Sequence, residues 1–267
     1  MSFFASERGH TTPWVAFYRP RAAPRLRLFC LPFAGGGASS YRGWSNELPS
    51  DIEVVPVQLP GREDRLREKP LQRIEDVVDR LIEALSPLMR DLPFALYGHS
   101  MGALVALEVT RRLAATYAPV PCHMIISARA APHLPLRRPQ IFNLSRKELE
   151  QWLRKLNGTP EAVLNSAELM DLIVPALRCD LQIDDTFRTI AEPPIACPLT
   201  VVGGLRDNEA SPDELRGWSR YTSGAFALRL MDGDHFFPFN ESRSHAFRIL
   251  TEVLSTTAPQ PNCGNRA

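Results

Sequence analysis

The 267-residue sequence predicts an α/β fold with a mostly parallel central sheet flanked by helices and an inserted helical lid. Short apolar runs alternate along the chain with longer runs whose apolar residues recur at helical spacing, and this alternation is typical of parallel sheets with helices on both faces. The alternation stops between residues 131 and 194, where only helical patterns occur. With 44% hydrophobic and 23% charged residues, the composition is that of a globular chain that can bury a core.

The first half of the chain supplies four of the predicted strands. A proline-containing lead-in over residues 1–25 precedes an apolar run at residues 26–31, which leads directly into the turn Pro32-Phe33-Ala34-Gly35-Gly36-Gly37. Its glycines permit backbone angles that other residues avoid. Further strands are predicted at residues 52–58, 94–97 and 124–127, and helices between them at residues 40–48, 74–85 and 101–117.

The stretch that interrupts the alternation carries two helix-start signals. Ser145 with Glu148 matches a capping box, and Asn165 with Glu168 matches it again before the next apolar run. Pro175 should kink or split the second helix, because its ring clashes with the preceding turn. We interpret the stretch as a lid over the carboxyl edge of the sheet.

Beyond the lid at residues 131–194 the alternation resumes. Strands are predicted at residues 199–203 and 225–231, helices at residues 213–221 and 241–254, and a loose tail at residues 257–267. We predict a single domain over the whole chain, 1–267, with the lid inserted in it.

Charge and composition exclude several function classes. Lys and Arg total 31 and Asp and Glu total 30, so the formal net charge of +1 lacks the basic excess of a nucleic-acid binder. No apolar run approaches the length of about 18 residues that a membrane span needs. The first residues show no signal-peptide pattern, so we expect a cytoplasmic protein with no membrane partner.

The cysteines form neither a metal-binding nor a disulfide pattern. They are odd in number, scattered and without a C-x-x-C pair, so we expect reduced thiols and no bound metal. They are Cys30, Cys122, Cys179, Cys197 and Cys263.

The sharpest chemical signal is Gly98-His99-Ser100-Met101-Gly102, which lies between a predicted strand and a predicted helix. This context favours a nucleophile elbow, a tight turn in which the serine adopts strained backbone angles. The flanking positions crowd the neighbouring strand and helix and therefore need glycine, which Gly98 and Gly102 supply. The alternative is an ordinary strand-to-helix turn with a capping serine.

A serine nucleophile needs a base, and His235 is the candidate. Its loop directly follows the last predicted strand, at the carboxyl edge where the elbow opens. His245 also lies beyond that strand but falls within the closing helix. The other histidines precede that strand: His10, His99, His123 and His133.

An acid that orients the histidine would complete a triad, and Asp207 is the candidate. It lies in the loop after the strand at residues 199–203. The other usual position, after the strand at residues 124–127, has no Asp or Glu through residue 140. A surface aspartate that caps a helix is the alternative. Three further aspartates belong to the lid: Asp180, Asp184 and Asp185.

Two backbone N–H groups are expected to hold the oxyanion. One is the N–H of Met101, directly after the nucleophile, and the other belongs to Phe33 or Ala34 in the glycine loop, with Ala34 favoured. A glycine loop can also cradle phosphates, but this one lacks the spacing of the nucleotide-binding motifs. We expect no cofactor.

Five longer stretches occur in order over about residues 14–254: LRLFCLPFAGGGASSYRGW, VQLPGREDRLREKP, LYGHSMGALVALE, GGLRDNEAS and GDHFFPF. They resemble the type II thioesterases that accompany nonribosomal peptide and polyketide synthases. The resemblance implies an α/β-hydrolase fold with a helical lid. It also implies hydrolysis of aberrant or stalled acyl and aminoacyl thioesters from the phosphopantetheine arm of a carrier protein, an editing task in antibiotic or siderophore biosynthesis.

Carried over residue by residue, the resemblance implies that Ser100 is the nucleophile, Asp207 the acid and His235 the base. It implies oxyanion donors at Ala34 and Met101. The implied partners are carrier domains of a synthase, which bring the phosphopantetheine, and we expect the enzyme itself to be a monomer. Phe33 departs from the family, because many relatives have histidine or another polar residue there.

Two other functions stay open. A general carboxylesterase acting on small soluble esters would use the same three side chains, because the triad cannot itself distinguish a thioester from an oxygen ester. A non-catalytic partner of the synthase would carry a vestigial hydrolase site.

Two groups of side chains are candidates for contacts with substrate or partner. Apolar lid residues can line an acyl pocket, although such a stripe normally packs on the body: Leu149, Trp152, Leu153, Leu169, Leu172 and Leu177. Arginines can meet an acidic carrier domain, although a solvated, self-paired loop would also explain them: Arg62, Arg65, Arg67, Arg137 and Arg138.

Overall fold

A computed structural model describes residues 12–116, 118–189 and 193–257 of the chain. The strands in these ranges are β1 (Leu26–Leu31), β2 (Ile52–Pro56), β3 (Phe94–His99), β4 (His123–Ser127), β5 (Leu199–Gly204) and β6 (Phe226–Met231). They form one sheet in the order β2-β1-β3-β4-β5-β6, and every neighbouring pair is parallel. The predicted α/β fold with a parallel sheet is confirmed.

Helices surround the sheet. Those in the described ranges are α1 (Trp44–Glu47), α2 (Ile74–Asp91), α3 (Met101–Ala115), α4 (Arg146–Leu156), α5 (Glu161–Leu164), α6 (Ala167–Thr186), α7 (Pro212–Arg216) and α8 (Arg243–Thr256). Short 3₁₀ turns occur at Ala38–Tyr41, Glu63–Arg65 and Gly217–Tyr221. Among the helices of the described part, none combines the length and apolar character that crossing a membrane requires.

The continuous helix predicted over residues 40–48 is wrong. The 3₁₀ turn at Ala38–Tyr41 and the short α1 occupy this stretch, because Gly43 has a φ of 87° and a left-handed residue interrupts a right-handed helix. The helix predicted over residues 213–221 likewise changes from α7 into a 3₁₀ turn. Strand ends differ from the predicted ones by at most two residues.

Helices α4, α5 and α6 occupy the segment predicted as a lid, and the residues of this segment that the structure describes contain no strand. The capping box of Ser145 and Glu148 is confirmed by both of its hydrogen bonds. The second predicted helix start is wrong, because Ser166 rather than Asn165 caps α6. Pro175 does not split α6, which continues through it to Thr186.

Several predictions lie outside the described residues. They concern the beginning of the lead-in with His10 at residues 1–11, the end of the third predicted helix at Tyr117, residues 190–192 of the lid, and the tail with Cys263 at residues 258–267.

Two apolar clusters cover the two faces of the sheet. Phe29 and Leu31 of β1 pack in the cluster that includes α2 and α3, whereas Leu28 and Cys30 pack in the cluster that includes α1 and α8. Successive side chains of a strand point to opposite faces, so a strand buried on both faces reads as a continuous apolar run. The lid helices have a smaller cluster of their own around Leu149.

The order of the strands reverses beside β1. The chain passes from β1 to β2 on one side and then crosses to β3 on the other, so the loops that follow β1 and β3 emerge side by side. Leu31 lies opposite Gly98 at this edge. The crevice outside such a switch point is the usual ligand site of an open parallel sheet. The topology therefore brings the glycine loop beside the predicted elbow.

A buried ion pair between Arg27 in β1 and Glu53 in β2 yields a prediction for stability. Both side chains are fully buried, and Arg27 Nε lies 2.6 Å from Glu53 Oε2. Removing Glu53 takes away the close partner of the buried guanidinium and leaves only the longer contact of 3.9 Å between Arg27 Nη1 and Asp91 Oδ2. We therefore expect Glu53→Ala to lower the free energy of unfolding by about 3 kcal/mol, the lower end of the range for breaking a buried pair. Urea unfolding followed by circular dichroism measures this change.

Asp79→Ala is the control, because it breaks the half-exposed pair between Asp79 and Arg112. Exposed pairs contribute about 1 kcal/mol or less, so the control should unfold nearly as the parent does. Equal losses of unfolding free energy for Glu53→Ala and Asp79→Ala would contradict a larger contribution from the buried pair.

Candidate active site

Ser100 occupies a strained turn between β3 and α3. Its φ of 53° and ψ of −116° are rare for any residue other than glycine. Ser100 N donates a hydrogen bond of 2.8 Å to the carbonyl oxygen of Ser127, which holds the turn. A Cβ at Gly98 would collide with the backbone of Gly102, and a Cβ at Gly102 would collide with the carbonyl group of Leu31. Residue 100 therefore has the backbone geometry of an elbow, and both flanking positions require glycine.

The glycine loop after β1 forms a tight turn, which we call the Phe33–Gly36 turn. Gly36 N donates to the carbonyl oxygen of Phe33 at 2.9 Å, and Gly35 has a φ of 78°. Ala34 in this turn and Ser100 line the same cavity. Met101 is the first residue of α3, so its N–H has no acceptor within the helix. Of the two candidate oxyanion donors, Met101 thus directly follows Ser100 in the chain, and Ala34 lines the same cavity as Ser100.

His235 and Asp207 are brought together by the loops that follow β6 and β5. His235 Nδ1 lies 3.0 Å from Asp207 Oδ2 and 3.1 Å from Oδ1, and both side chains are buried. Asp207 Oδ1 also accepts a hydrogen bond of 2.8 Å from Glu209 N. Because Nδ1 faces the carboxylate, Nε2 is the ring nitrogen left to exchange a proton. His235 and Ser100 line the same cavity.

The environment of His235 favours its protonated form. Burial lowers the pKa of the imidazole, but the carboxylate of Asp207 raises it through charge and a hydrogen bond, with smaller contributions from Glu209 and Asp184. The net result is a pKa above the ordinary value of 6.5. An imidazolium at this position is therefore stabilised by its neighbours.

His99 is fully buried and does not line the cavity. Burial, followed by the charge of His235, holds the pKa of His99 well below its usual value. Its Nδ1 is 3.0 Å from Ser127 Oγ, and its ring lies 5.4 Å from the ring of His235. A neutral His99 therefore acts as packing for the loop of His235.

Phe33 joins the two loops of the site through aromatic contacts. Its ring centroid lies 4.9 Å from that of Phe236, 5.3 Å from that of Phe239 and 5.8 Å from that of His99. Edge-to-face contacts of this kind contribute beyond the area that they bury. An apolar Phe33, unlike the polar residues expected from the resemblance, thus ties the Phe33–Gly36 turn to the loop of His235.

A cavity of about 640 Å³ opens at this edge of the sheet, and its lining includes Ser100 and His235. Of the apolar lid residues predicted to line an acyl pocket, Trp152, Leu153 and Leu177 do line the cavity. The other three candidates do not line it. Leu149 is buried in the lid cluster, and Leu169 and Leu172 are 42% and 48% exposed.

The arginines predicted as contacts for a partner are largely occupied within the chain. Arg62 is buried and paired with Asp180, and Arg65 is buried with its guanidinium 2.6 Å from Glu68. Both arginines are paired within the chain, as the self-paired alternative has it, but they are buried rather than solvated. Neither is free to meet a partner. Arg137 pairs with Glu214 at 2.5 Å. Arg138 lies in an ionic network, and Arg67 is exposed.

Three buried aspartates of α6, Asp180, Asp184 and Asp185, form ion pairs that the sequence does not predict. Asp184 Oδ1 lies 2.7 Å from Arg129 Nη1, and Asp185 Oδ1 lies 2.5 Å from Arg138 Nη1. Arg138 Nε also lies 2.7 Å from Glu209 Oε2, in the loop of the catalytic-acid candidate. The spacing of residues 180 and 184 is the signal that could have shown part of this, because side chains four residues apart on a helix lie on one face. The network ties the lid to the loop after β5.

No metal site is evident in the described ranges. These residues contain no group of three or more His, Cys, Asp and Glu side chains that could hold a metal ion. The described cysteines are buried free thiols, as expected: Cys30, Cys122, Cys179 and Cys197.

Comparison with known proteins finds one family model and similar proteins that match most of the chain. The sequence model of the family described as "Thioesterase domain" matches residues 26–256. The gramicidin S biosynthesis protein GrsT of Aneurinibacillus migulanus is 40% identical over 241 residues, which cover 90% of this chain and 93% of that protein.

Solved structures agree with the sequence comparison. RedJ, a thioesterase from the prodiginine biosynthetic pathway in Streptomyces coelicolor, superimposes with a TM-score of 0.80 at 39% identity and covers 86% of each chain. BorB, the type II thioesterase from the borrelidin biosynthetic cluster, gives a TM-score of 0.80 at 34% identity and covers 92% of this chain and 98% of its own.

The contact between His235 and Asp207 yields a prediction for the titration of the imidazole. Asp207→Asn removes the charge that opposes the effect of burial, so we expect the pKa of His235 to fall from above 6.5 to a lower value. Histidine ring signals followed by NMR over a pH series measure this shift.

His123 is the internal control, because burial lowers its pKa to about 4 and it lies against Thr200 rather than the site. Its titration should be the same in both proteins. An unchanged titration of His235 in Asp207→Asn would show that the carboxylate does not govern the imidazole.

Proposed function

The chain belongs to the thioesterase family, as a type II thioesterase of nonribosomal peptide and polyketide pathways, and we propose that Ser100, His235 and Asp207 are its catalytic triad. The proposed substrates are acyl and aminoacyl groups held as thioesters on the phosphopantetheine arm of carrier proteins. Their hydrolysis frees carriers that bear an aberrant or stalled group.

The observation that carries the proposal is the placement of Ser100 and His235 on one cavity, with His235 Nδ1 3.0 Å from Asp207. A serine hydroxyl is a weak nucleophile near neutral pH and needs a base. Asp207 fixes the ring so that Nε2 is available, and it stabilises the imidazolium that forms. The raised pKa of His235 fits a group that must hold a proton during the reaction.

The proposed reaction has two stages. Ser100 Oγ attacks the thioester carbonyl while its proton passes to His235 Nε2, and the carbonyl electron pair moves onto oxygen. The backbone N–H groups of Ala34 and Met101 donate to that oxyanion. The C–S bond then breaks, the arm leaves as a thiol with the proton from His235, and an acyl group stays on Ser100.

Water completes the cycle. His235 takes a proton from the attacking water, the second tetrahedral intermediate collapses, and Ser100 regains its proton as the free acid leaves. No cofactor bound to this chain takes part in the proposed reaction, because the pantetheine arm arrives covalently attached to the partner.

Part of the cavity lining suits an acyl group. Trp152, Leu153 and Leu177 give it apolar walls. The biosynthetic pathways named for GrsT, RedJ and BorB support a carrier of a synthase as the partner. Such a partner would meet this enzyme in the cytoplasm.

A hydrolysis panel tests the proposal. Wild-type protein is mixed with an acylated carrier protein and, separately, with the ethyl ester of the same acid, and the released acid is quantified. We expect kcat/KM to be much greater for the acylated carrier. We expect Ser100→Ala to lower kcat by about 10⁶-fold, because removal of the nucleophile disables the triad as a unit.

Ser86→Ala is the matched control, since it makes the same change on the exposed side of α2. It should hydrolyse the carrier substrate at the wild-type rate. Faster turnover of the ethyl ester would favour a general carboxylesterase. Full activity of Ser100→Ala would refute the proposed nucleophile.

A further inference from the structure

A buried ion pair lies behind the Phe33–Gly36 turn. Arg62, in the loop after β2, and Asp180 of α6 are 6% and 1% exposed. Arg62 Nη2 lies 2.9 Å from Asp180 Oδ1, and Arg62 Nη1 donates to Asp180 Oδ2. This is a two-point contact between planar groups, the strong form of an arginine–carboxylate pair. Asp180 is therefore held in one orientation.

Each member of the pair also contacts the backbone of the turn. Asp180 Oδ2 accepts a hydrogen bond of 2.8 Å from Gly35 N. Arg62 Nη1 donates a hydrogen bond of 3.1 Å to the carbonyl oxygen of Gly36. Asp180 thus holds the turn at the N–H of Gly35, and Arg62 holds it at the carbonyl oxygen of Gly36. Because the two side chains are also paired with each other, the turn is fixed at two points.

We infer that Asp180 is a positioning residue for the oxyanion hole, and that Arg62 neutralises its charge there; the inference rests on the proposed function. Gly35 N belongs to the peptide unit that directly follows Ala34. Fixing this peptide plane limits the rotation of the backbone at Ala34, whose N–H is the proposed donor. Such contacts are needed because the glycines of this loop allow many backbone conformations.

The effect of an oxyanion donor depends on its distance from the substrate oxygen, so the position of the turn matters. An oxyanion donor is effective only within about 2.7–3.1 Å of the developing charge, and losing one donor costs about 10²- to 10³-fold in turnover. A turn that is free to move by 1 Å would lose a comparable share. Asp180 touches the backbone of the turn and does not line the cavity, so its effect reaches the substrate through the Phe33–Gly36 turn.

Charge explains why Arg62 is needed. Without Arg62, the buried carboxylate of Asp180 would lie unpaired against Gly35, the residue after the oxyanion donor Ala34. It would then repel the negative charge that develops on the substrate oxygen. Arg62 cancels this charge and leaves only the hydrogen bond to Gly35. Removing Arg62 alone should therefore harm catalysis more than replacing Arg62 and Asp180 together by neutral residues.

Two inhibitors and steady-state kinetics test the inference. A trifluoromethyl ketone analogue of the acyl group reacts with Ser100 Oγ to give a tetrahedral adduct whose oxyanion needs the hole. A thioether analogue, which lacks the carbonyl, reports binding alone. We expect Asp180→Ala to lower kcat and weaken the ketone by about 10- to 100-fold, a tenth of the loss of a whole donor. KM and thioether affinity should change less than threefold.

Substitutions of the pair separate position from charge. Asp180→Asn keeps an oxygen acceptor for Gly35 N, so it should retain at least a fifth of the wild-type kcat. Arg62→Gln leaves the carboxylate unpaired, so it should lose more activity than the double variant Arg62→Gln/Asp180→Asn. If Asp180→Ala does not fold, the comparison of Arg62→Gln with the double variant tests the inference.

Glu53→Gln is the matched control, because it disrupts a buried arginine–carboxylate pair in the sheet, away from the turn. We expect a lower Tm but a kcat within twofold of wild type. A kcat or ketone affinity for Asp180→Ala equal to that of Glu53→Gln would overturn the inference. So would a double variant that is less active than Arg62→Gln.

Different results would refute the proposed function and the inference about Asp180. A wild-type protein that neither hydrolyses the acylated carrier nor binds the ketone would refute the proposed function, and the inference with it. A wild-type protein that does both, with Asp180→Ala unaffected, would refute the inference alone.

Discussion

The site depends on the close approach of α3 to the end of β1. The chain must turn from β3 into α3 at Ser100 with φ near 53°, and glycine at residues 98 and 102 lets backbone meet backbone there. A side chain at either glycine would push α3 away from Leu31 and its neighbouring turn. This one steric constraint brings the start of α3 against the end of β1, so that the candidate nucleophile and the glycine turn line one cavity. The strain at Ser100 is compensated by the surrounding packing.

Buried charge then fixes the loops that the sheet alone would leave mobile. The buried aspartates of α6 contact the turn after β1 through Asp180, and the loop after β5 through the pair of Asp185 with Arg138. Each buried ion gains stability only where its partner is well placed, so these contacts are costly to break. Helix α6, which belongs to the segment predicted as a lid, thereby contributes to the geometry of two loops at the site and also lines the cavity.

Residues could be identified from the sequence where local pattern decides the structure. The strands follow from apolar runs, and Ser100, Asp207 and His235 follow from their places directly after strands. The ion pair of Arg62 and Asp180 could not be identified in this way, because 118 residues separate its members and only the packing of α6 brings them together. The break at Gly43 was also missed, since a glycine in a short polar stretch is compatible with either a helix or a turn.

The central claim is that Ser100 becomes acylated during turnover. Rapid mixing of the protein with an acylated carrier, followed by acid quenching and mass spectrometry, measures this directly. The account predicts a transient mass increase equal to one acyl group, located on the peptide that contains Ser100. Release of acid at the full rate with no acyl adduct at Ser100, or with the adduct on another residue, would contradict it.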